Sequence, residues 1–261
     1  MQQAKTRIKL KIIALIFIIL IVKFIRRIVK DCNSIVFLDF EATDSSMEII
    51  SIGAIKAELD SKKQIKSYDK GFKCYVYTET KISPFIKEMT GITNELLDKE
   101  GISFEEAINR LSKYVGDPTF VHFFTYGNYD IRLLHIDAKN NELLQNNLVL
   151  QVFRKHSDFS KILNHFVRSE TNQTLSLIKA LKVFNVKPVE PIHDPLSDAK
   201  NLMFLYEAFL KSHNIIRVQY LKVIANNPNL EPPVKKLLNK LVKDKSVTIE
   251  DLNTYINEEI S

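Results

Sequence analysis

The chain of 261 residues has no tryptophan, only six glycines and two cysteines, and no acidic residue before Asp31. So few glycines exclude a collagen-like repeat. Two cysteines, Cys32 and Cys74, cannot build a disulfide framework or a four-cysteine zinc site. A reducing compartment fits them. With 45% hydrophobic and 26% charged residues, the composition also excludes a disordered tail and a multi-span membrane protein. No internal repeat is present. The missing tryptophan and scarce glycine, beside abundant Lys, Asn and Ile, carry no mechanism.

The net charge of +6 belongs to one end of the chain. Lys5, Arg7, Lys9, Lys11, Lys23, Arg26, Arg27 and Lys30 stand against Asp31 alone, so residues 1–31 carry +7 and the remainder −1. Any nucleic-acid contact made by the body must therefore come from local patches rather than a general basic field.

Residues 12–22 (IIALIFIILIV) form an unbroken apolar run that Phe24, Ile25, Ile28 and Val29 extend. The run is shorter than the roughly 20 residues a spanning helix needs. Counted over 8–29 it is long enough, with its cations towards the ends, where they snorkel to headgroups. No small-x-small site follows, which argues against a cleaved signal peptide. The segment reads as an uncleaved membrane anchor, with a buried or surface-lying helix as the alternative.

Beyond it, residues 34–40 (SIVFLDF) read as a buried strand ending in acids. Residues 48–57 give a second strand, in which Gly53 signals a bulge or a close approach. Residues 65–77 give a third, and short connections make these an antiparallel meander. Phe104, Ile108, Leu111 and Val115 follow helical spacing. A strand at 119–124, a helix from Tyr129, a fifth strand at 148–153 and helices near 175–183 and 195–210 complete the body. The expected fold is α/β: a mixed five-stranded sheet flanked by helices, with an N-terminal apolar helix and a small helical C-terminal appendage. The expected division is 1–31, 32–212 and 213–261.

Four carboxylates and a histidine stand out by position. Asp39 and Glu41 lie two apart at the end of the first strand, so their side chains point the same way. Asp130 lies in the first turn of a helix that Asn128 is placed to cap. Asp198 lies in the first turn of the helix starting at Pro195, with His193 just outside it. Ligands collect at such strand ends and helix starts. Clustered carboxylates repel unless cations bind between them, and hard oxygen donors suit Mg²⁺ or Mn²⁺. Two ions about 3.5–4 Å apart activate a water and stabilise the leaving oxygen of a phosphodiester. A nearby histidine supplies the general base.

Asp39-Phe40-Glu41-Ala42-Thr43, Gly127-Asn128-Tyr129-Asp130 and His193-x-x-x-x-Asp198 resemble the three motifs of the DEDDh 3′-to-5′ exonucleases. That family includes the proofreading subunit of the bacterial replicative polymerase and RNA-trimming enzymes, on a ribonuclease-H-like fold. Thr90-Gly91-Ile92-Thr93, after Ile82-Ser83-Pro84, resembles its segment that holds the substrate's 3′ end. Residues 176–181 resemble the helix before the third motif. The resemblance implies two Mg²⁺ or Mn²⁺ ions on Asp39, Glu41, Asp130 and Asp198, with His193 as base. It implies contacts to the terminal nucleotide from Phe40, Ala42, Thr43, Met89, Thr90 and Asn128. Asp44 stands where the family usually has Gly, and Tyr129 where Phe is commoner.

The implied activity is release of nucleoside 5′-monophosphates from a nucleic-acid 3′ end. The turn before Asp130 leans to RNA. Alternatives are a DNA proofreading or repair exonuclease and a catalytically silent, membrane-tethered binding module. The expected location is a membrane, with the nuclease domain facing the cytoplasm, where nucleic-acid substrates are. Asp194 before Pro195 reads as a helix cap, His122 as a packed histidine, and Phe124 and Tyr126 as either core or base-stacking rings.

Overall fold

The computed structural model describes residues 23–243 and 246–260. At its centre lies β1 (Ser34–Ala42), whose apolar, β-branched sequence is buried on both faces. The second strand, β2 (Ile49–Leu59), returns antiparallel to β1 after a short turn. In that turn the Thr43 hydroxyl accepts the Glu48 N–H at 3.0 Å. Two short strands, β3 (Ile65–Tyr68) and β4 (Phe72–Tyr75), then pair antiparallel with successive stretches of β2. On the other edge of β1, β5 (Val121–Thr125) and β6 (His156–Asp158) add in parallel. The order is β3-β2-β1-β5-β6, with β4 also on β2.

The sheet is mixed, as expected, but has six strands rather than five. Two differences stand out, of which the first adds the sixth strand. The third strand is broken: Ala57 pairs with Tyr68 and Ala54 with Phe72, which leaves one residue too many between them. Gly71 takes the break at φ +89°, and its N–H is accepted by the Asp69 carboxylate at 2.9 Å. The second difference is that 148–153 is not a strand. It lies in a helix, Asn147–Lys155, whose first N–H groups are accepted by the Asn146 side chain. A short apolar run has no period long enough to separate the two states, and the cap at Asn146 decides. The strand follows immediately, as β6.

Helices Phe104–Val115, Tyr129–Asn140 and Asn147–Lys155 share one core with the sheet, built on Val36, Leu38, Phe40, Ile52 and Phe123. On the opposite face runs helix Pro195–Lys211, whose Tyr206 packs against the rings of Phe37 at 5.5 Å and Phe124 at 5.4 Å. Gly53 makes that packing possible. A Cβ there would lie 2.0 Å from the Pro195 carbonyl carbon, so the strand and the helix start touch backbone to backbone.

Contacts gather the chain into two units. One holds 28–160 and 177–207, with the whole sheet. The other joins the described residues 23–27 and the segment 161–176 to the C-terminal helices His213–Ala225, Pro232–Val242 and Ile249–Ile260. In it Phe166 packs on Tyr220 at 5.8 Å, and Lys236 pairs with Glu258 at 2.9 Å.

The apolar run 12–22 lies outside the described residues. Among the described residues no helix is long and apolar enough to cross a membrane. Ile25 and Val29, counted above as extending the run, are buried in the folded chain, and a core residue cannot also face lipid. That extension of the expected anchor is withdrawn.

Candidate active site

β1 outruns its parallel neighbour. Its pairing with β5 ends at Phe37, which leaves the backbone N–H of Phe40 without a strand partner on that side. Helix Tyr129–Asn140 fills the gap, and Asp130 accepts the Phe40 N–H at 2.9 Å. The strand extension that carries Asp39 and Glu41 is thereby fixed to the helix that carries Asp130. Asn128 sits before that helix as expected, but its side chain makes no cap hydrogen bond. The helix start is held elsewhere: the buried carboxylate of Asp158, at the end of β6, accepts the Gly127 N–H at 2.9 Å.

The third motif arrives across the sheet. Asp194 caps helix Pro195–Lys211 by accepting the Ser197 N–H at 3.0 Å, as its position before proline predicts. His193 just before it has φ +63°, a left-handed conformation uncommon outside glycine. That turn aims the His193 N–H at Asp198, which accepts it at 3.0 Å. The Asn201 amide donates to the other Asp198 oxygen at 3.1 Å and also to the Val189 carbonyl, so Asp198 is pinned from two sides.

Of the five expected residues, these elements bring three within ligand distance of one another. Glu41, His193 and Asp198 place a ligand atom each within 4.8 Å of one another. Glu41, Asp130 and Asp198 are buried, Asp39 partly so, and His193 is exposed at the opening. Burial pushes the Asp39 carboxyl well above the usual carboxylate range, reinforced by the charges of Asp130, Glu41 and Asp198. Glu41 is pushed up to about 8 by burial and then by Asp198. Burial also raises Asp130 and Asp198, against the hydrogen bonds they accept.

The substrate-side residues are placed less directly. Phe40 and Ala42 point into the core. The Thr43 hydroxyl is spent on the β1–β2 turn, with Ser46 at 2.8 Å and the Glu48 N–H. Thr90 closes helix Pro84–Thr90, donating to the Ile86 carbonyl at 2.8 Å, while Met89 packs on the small core of Ile50, Ile86 and Ile92. Of the backbone N–H groups of these residues, that of Phe40 is taken by Asp130 and that of Thr43 by the Glu48 carbonyl at 2.9 Å. Asp44, the departure from the motif, accepts the Ser83 hydroxyl at 2.7 Å and so ties the first motif to that helix. Phe124 is a core ring, whereas Tyr129 is 52% exposed beside Asp130. His122 is buried and bonded to Ser157 at 3.0 Å.

Sequence reasoning missed Lys73, Asp158 and Asn201. Lys73 lies on β4 opposite Gly53, itself opposite Asp39, and pairs with Asp194. No motif carries these three residues, because each acts through a neighbour.

The RNase T exonuclease family model matches residues 36–206. The chain belongs to that family. The match spans all three motifs, and the protein is a DEDDh-type 3′-to-5′ exonuclease, a hydrolase. No curated protein sequence matches the chain. Among solved structures, the exonuclease fold is shared with the nuclease domain of 3′hExo bound to rAMP. That pair is 19% identical over 69% of this chain and 93% of that one, with a TM-score of 0.55. A 3′-exonuclease described with the histone mRNA stem-loop is 20% identical over 69% of this chain and 83% of that one, with a TM-score of 0.56. E. coli exonuclease I in complex with a dT13 oligonucleotide is 15% identical over 74% of this chain and 46% of that one, with a TM-score of 0.53. DEDDh exonucleases use divalent metal ions, and the grouping of Glu41, His193 and Asp198 is a possible site for one.

Proposed function

We propose that the protein trims the 3′ end of single-stranded RNA, releasing nucleoside 5′-monophosphates. The observation that carries the site is the meeting of Glu41, His193 and Asp198 within 4.8 Å, with Asp39 and Asp130 acting electrostatically on the same cluster. The donor set fits hard divalent cations: the acids offer carboxylate oxygens, and burial, then their mutual repulsion, holds their protons on. Asp39, Glu41 and Asp198 would hold the catalytic ion and Asp130 would help hold a second, with Mg²⁺ or Mn²⁺ the ions of choice. When bound, such ions activate a water and stabilise the leaving 3′ oxygen.

The chain's own residues do the rest. His193, exposed at the mouth, takes the proton from the attacking water on a ring nitrogen and passes it to solvent. Its backbone bond to Asp198 keeps the ring over the carboxylates. The strand end at 40–43 and the 89–93 segment are assigned to the terminal nucleotide, and Tyr129 offers an exposed ring for a base.

RNA is favoured by the Gly127-Asn128-Tyr129-Asp130 turn and by the rAMP and histone mRNA of two structural neighbours. DNA is the second reading, because a further neighbour holds a dT13 oligonucleotide. Parallel digestion of matched RNA and DNA strands decides between them: faster RNA hydrolysis supports the proposal, and faster DNA hydrolysis replaces it.

Residues 12–22 are proposed to attach the protein to a membrane, with the nuclease unit on the cytoplasmic side. The support is the sequence alone: an unbroken apolar run with basic residues before and after it. Fractionation tests it. Resistance to high salt with release by detergent is expected, and release by salt alone refutes the anchor.

A further inference from the structure

The unit that carries the acids is itself acidic. Residues 28–160 and 177–207 hold 20 basic and 24 acidic side chains, a net charge of −4. A polyanionic strand gains little from such a field away from its metal-bound end. The other unit has the opposite sign: residues 23–27, 161–176 and 208–261 hold 13 basic and seven acidic side chains, a net charge of +6.

Within that helical unit lies a cleft of about 320 Å³ between the turn at 168–172 and helices His213–Ala225 and Pro232–Val242. Arg168 and Lys222 line it, together with the carboxamides of Asn172, Gln219 and Asn226; Glu170 is the acid among its lining residues. The Arg168 guanidinium is set in advance. It donates to the Asn164 carbonyl at 2.8 Å and to the Asn172 side-chain oxygen at 3.1 Å, which fixes the plane of its fork. Elsewhere in the unit, Lys236 and Lys240 are occupied by Glu258 and Asp251, and neither lines this cleft.

We infer that this cleft is a second nucleic-acid site, which holds the sugar-phosphate backbone of a single strand while its 3′ end is hydrolysed elsewhere. A planar guanidinium and an ammonium suit a phosphate, and several carboxamides offer paired donors and acceptors to a base edge or ribose hydroxyl. The inference rests on the exonuclease reading for the identity of the strand. Its consequence is separable, because none of the residues lining the cleft is one of the catalytic groups.

The test uses the full chain and the double variant Arg168→Glu with Lys222→Glu. Binding of labelled single-stranded RNA and DNA oligomers is followed by anisotropy in EDTA, where no hydrolysis occurs, across a salt series. The double variant should bind roughly tenfold more weakly or worse, with a salt slope smaller by about 1.4, the share of two phosphate contacts on a single strand. Arg168→Lys with Lys222→Arg should keep most of the affinity. Hydrolysis of a dinucleotide with Mg²⁺ should be unchanged in both variants. Oligomer binding equal to wild type in the charge-reversed variant overturns the inference. So does binding to anionic lipid vesicles that exceeds binding to nucleic acid and falls in the same variant. If wild type leaves the dinucleotide intact, the exonuclease reading fails, while the binding measurement still decides on the cleft.

Discussion

Lys73 and Asp194 form an ion pair between β4 and the residue that follows His193. The pair is partly sheltered, with the two side chains 27% and 19% exposed. Burial alone would raise Asp194, but Lys73 and the Ser197 N–H outweigh it and hold the carboxyl below its usual range. The pair joins the strand set that presents Asp39 and Glu41 to the loop that presents His193 and Asp198.

Lys73→Met should therefore loosen the placement of His193 without removing any group that touches the substrate. Misplacement on the scale of 1 Å costs up to about a hundredfold in rate, so a fall of roughly ten- to a hundredfold in kcat is expected. KM should change little. Lys73→Arg should restore most of the rate, and single-turnover kinetics on a short oligomer reads the difference.

Gly53→Ala should damage the fold itself. The new Cβ would meet Pro195 backbone at 2.0 and 2.2 Å, and no side chain stands there to give way. Overpacking of this kind costs about 1–3 kcal/mol or more, read as a lowered Tm together with lost activity. Ser51→Ala, two residues away on the same strand, removes only a hydroxyl bonded to the Cys74 carbonyl at 3.1 Å. It should be tolerated far better.

The metal-free protein should lose stability as pH rises. Glu41 titrates at about 8 in the fold, and Asp39 is likewise raised, whereas both ionise near 4 in the unfolded chain. Between those values the folded state holds protons that the unfolded state has released, so unfolding becomes easier with each step up in pH. Divalent ions replace the protons and should raise Tm much more near pH 8 than near pH 5, with EDTA removing the gain. Asp39→Asn should raise the Tm of the EDTA-treated protein near pH 8 while abolishing hydrolysis. Equal metal effects at both pH values would contradict the carboxylate cluster.

His193→Ala should lower kcat by about 10²–10⁴ while the metal-induced Tm gain persists in part. A wild-type rate in this variant would leave His193 as a backbone prop for Asp198 and nothing more.

Much of the site was legible because its residues lie in short, ordered motifs on strand ends and helix starts. Asp39 and Glu41 could be paired from their spacing alone, and Asp194 could be read as a cap from the proline after it. Gly53 announced a close approach, although what approached it, Pro195, lies more than a hundred residues away. The fold was misread where local pattern is weakest. The apolar stretch 148–153 fits strand or helix until the Asn146 cap is seen. The third strand's break depends on a single inserted residue. Lys73, Asp158 and Asn201 were invisible because their importance lies in which backbone group or charge they meet across the fold.

The central claim is that Asp39, Glu41, Asp130, Asp198 and His193 form one metal-dependent site acting at a 3′ end. The most direct measurement is digestion of a 5′-labelled single strand by wild type and Asp198→Asn, with Mg²⁺ or EDTA, resolved by length. Wild type with Mg²⁺ should give a ladder shortening one nucleotide at a time from the 3′ end. EDTA and Asp198→Asn should leave the strand intact while circular dichroism shows the fold preserved. A ladder from Asp198→Asn equal to that of wild type, or immediate release of the labelled 5′ nucleotide, would contradict the claim.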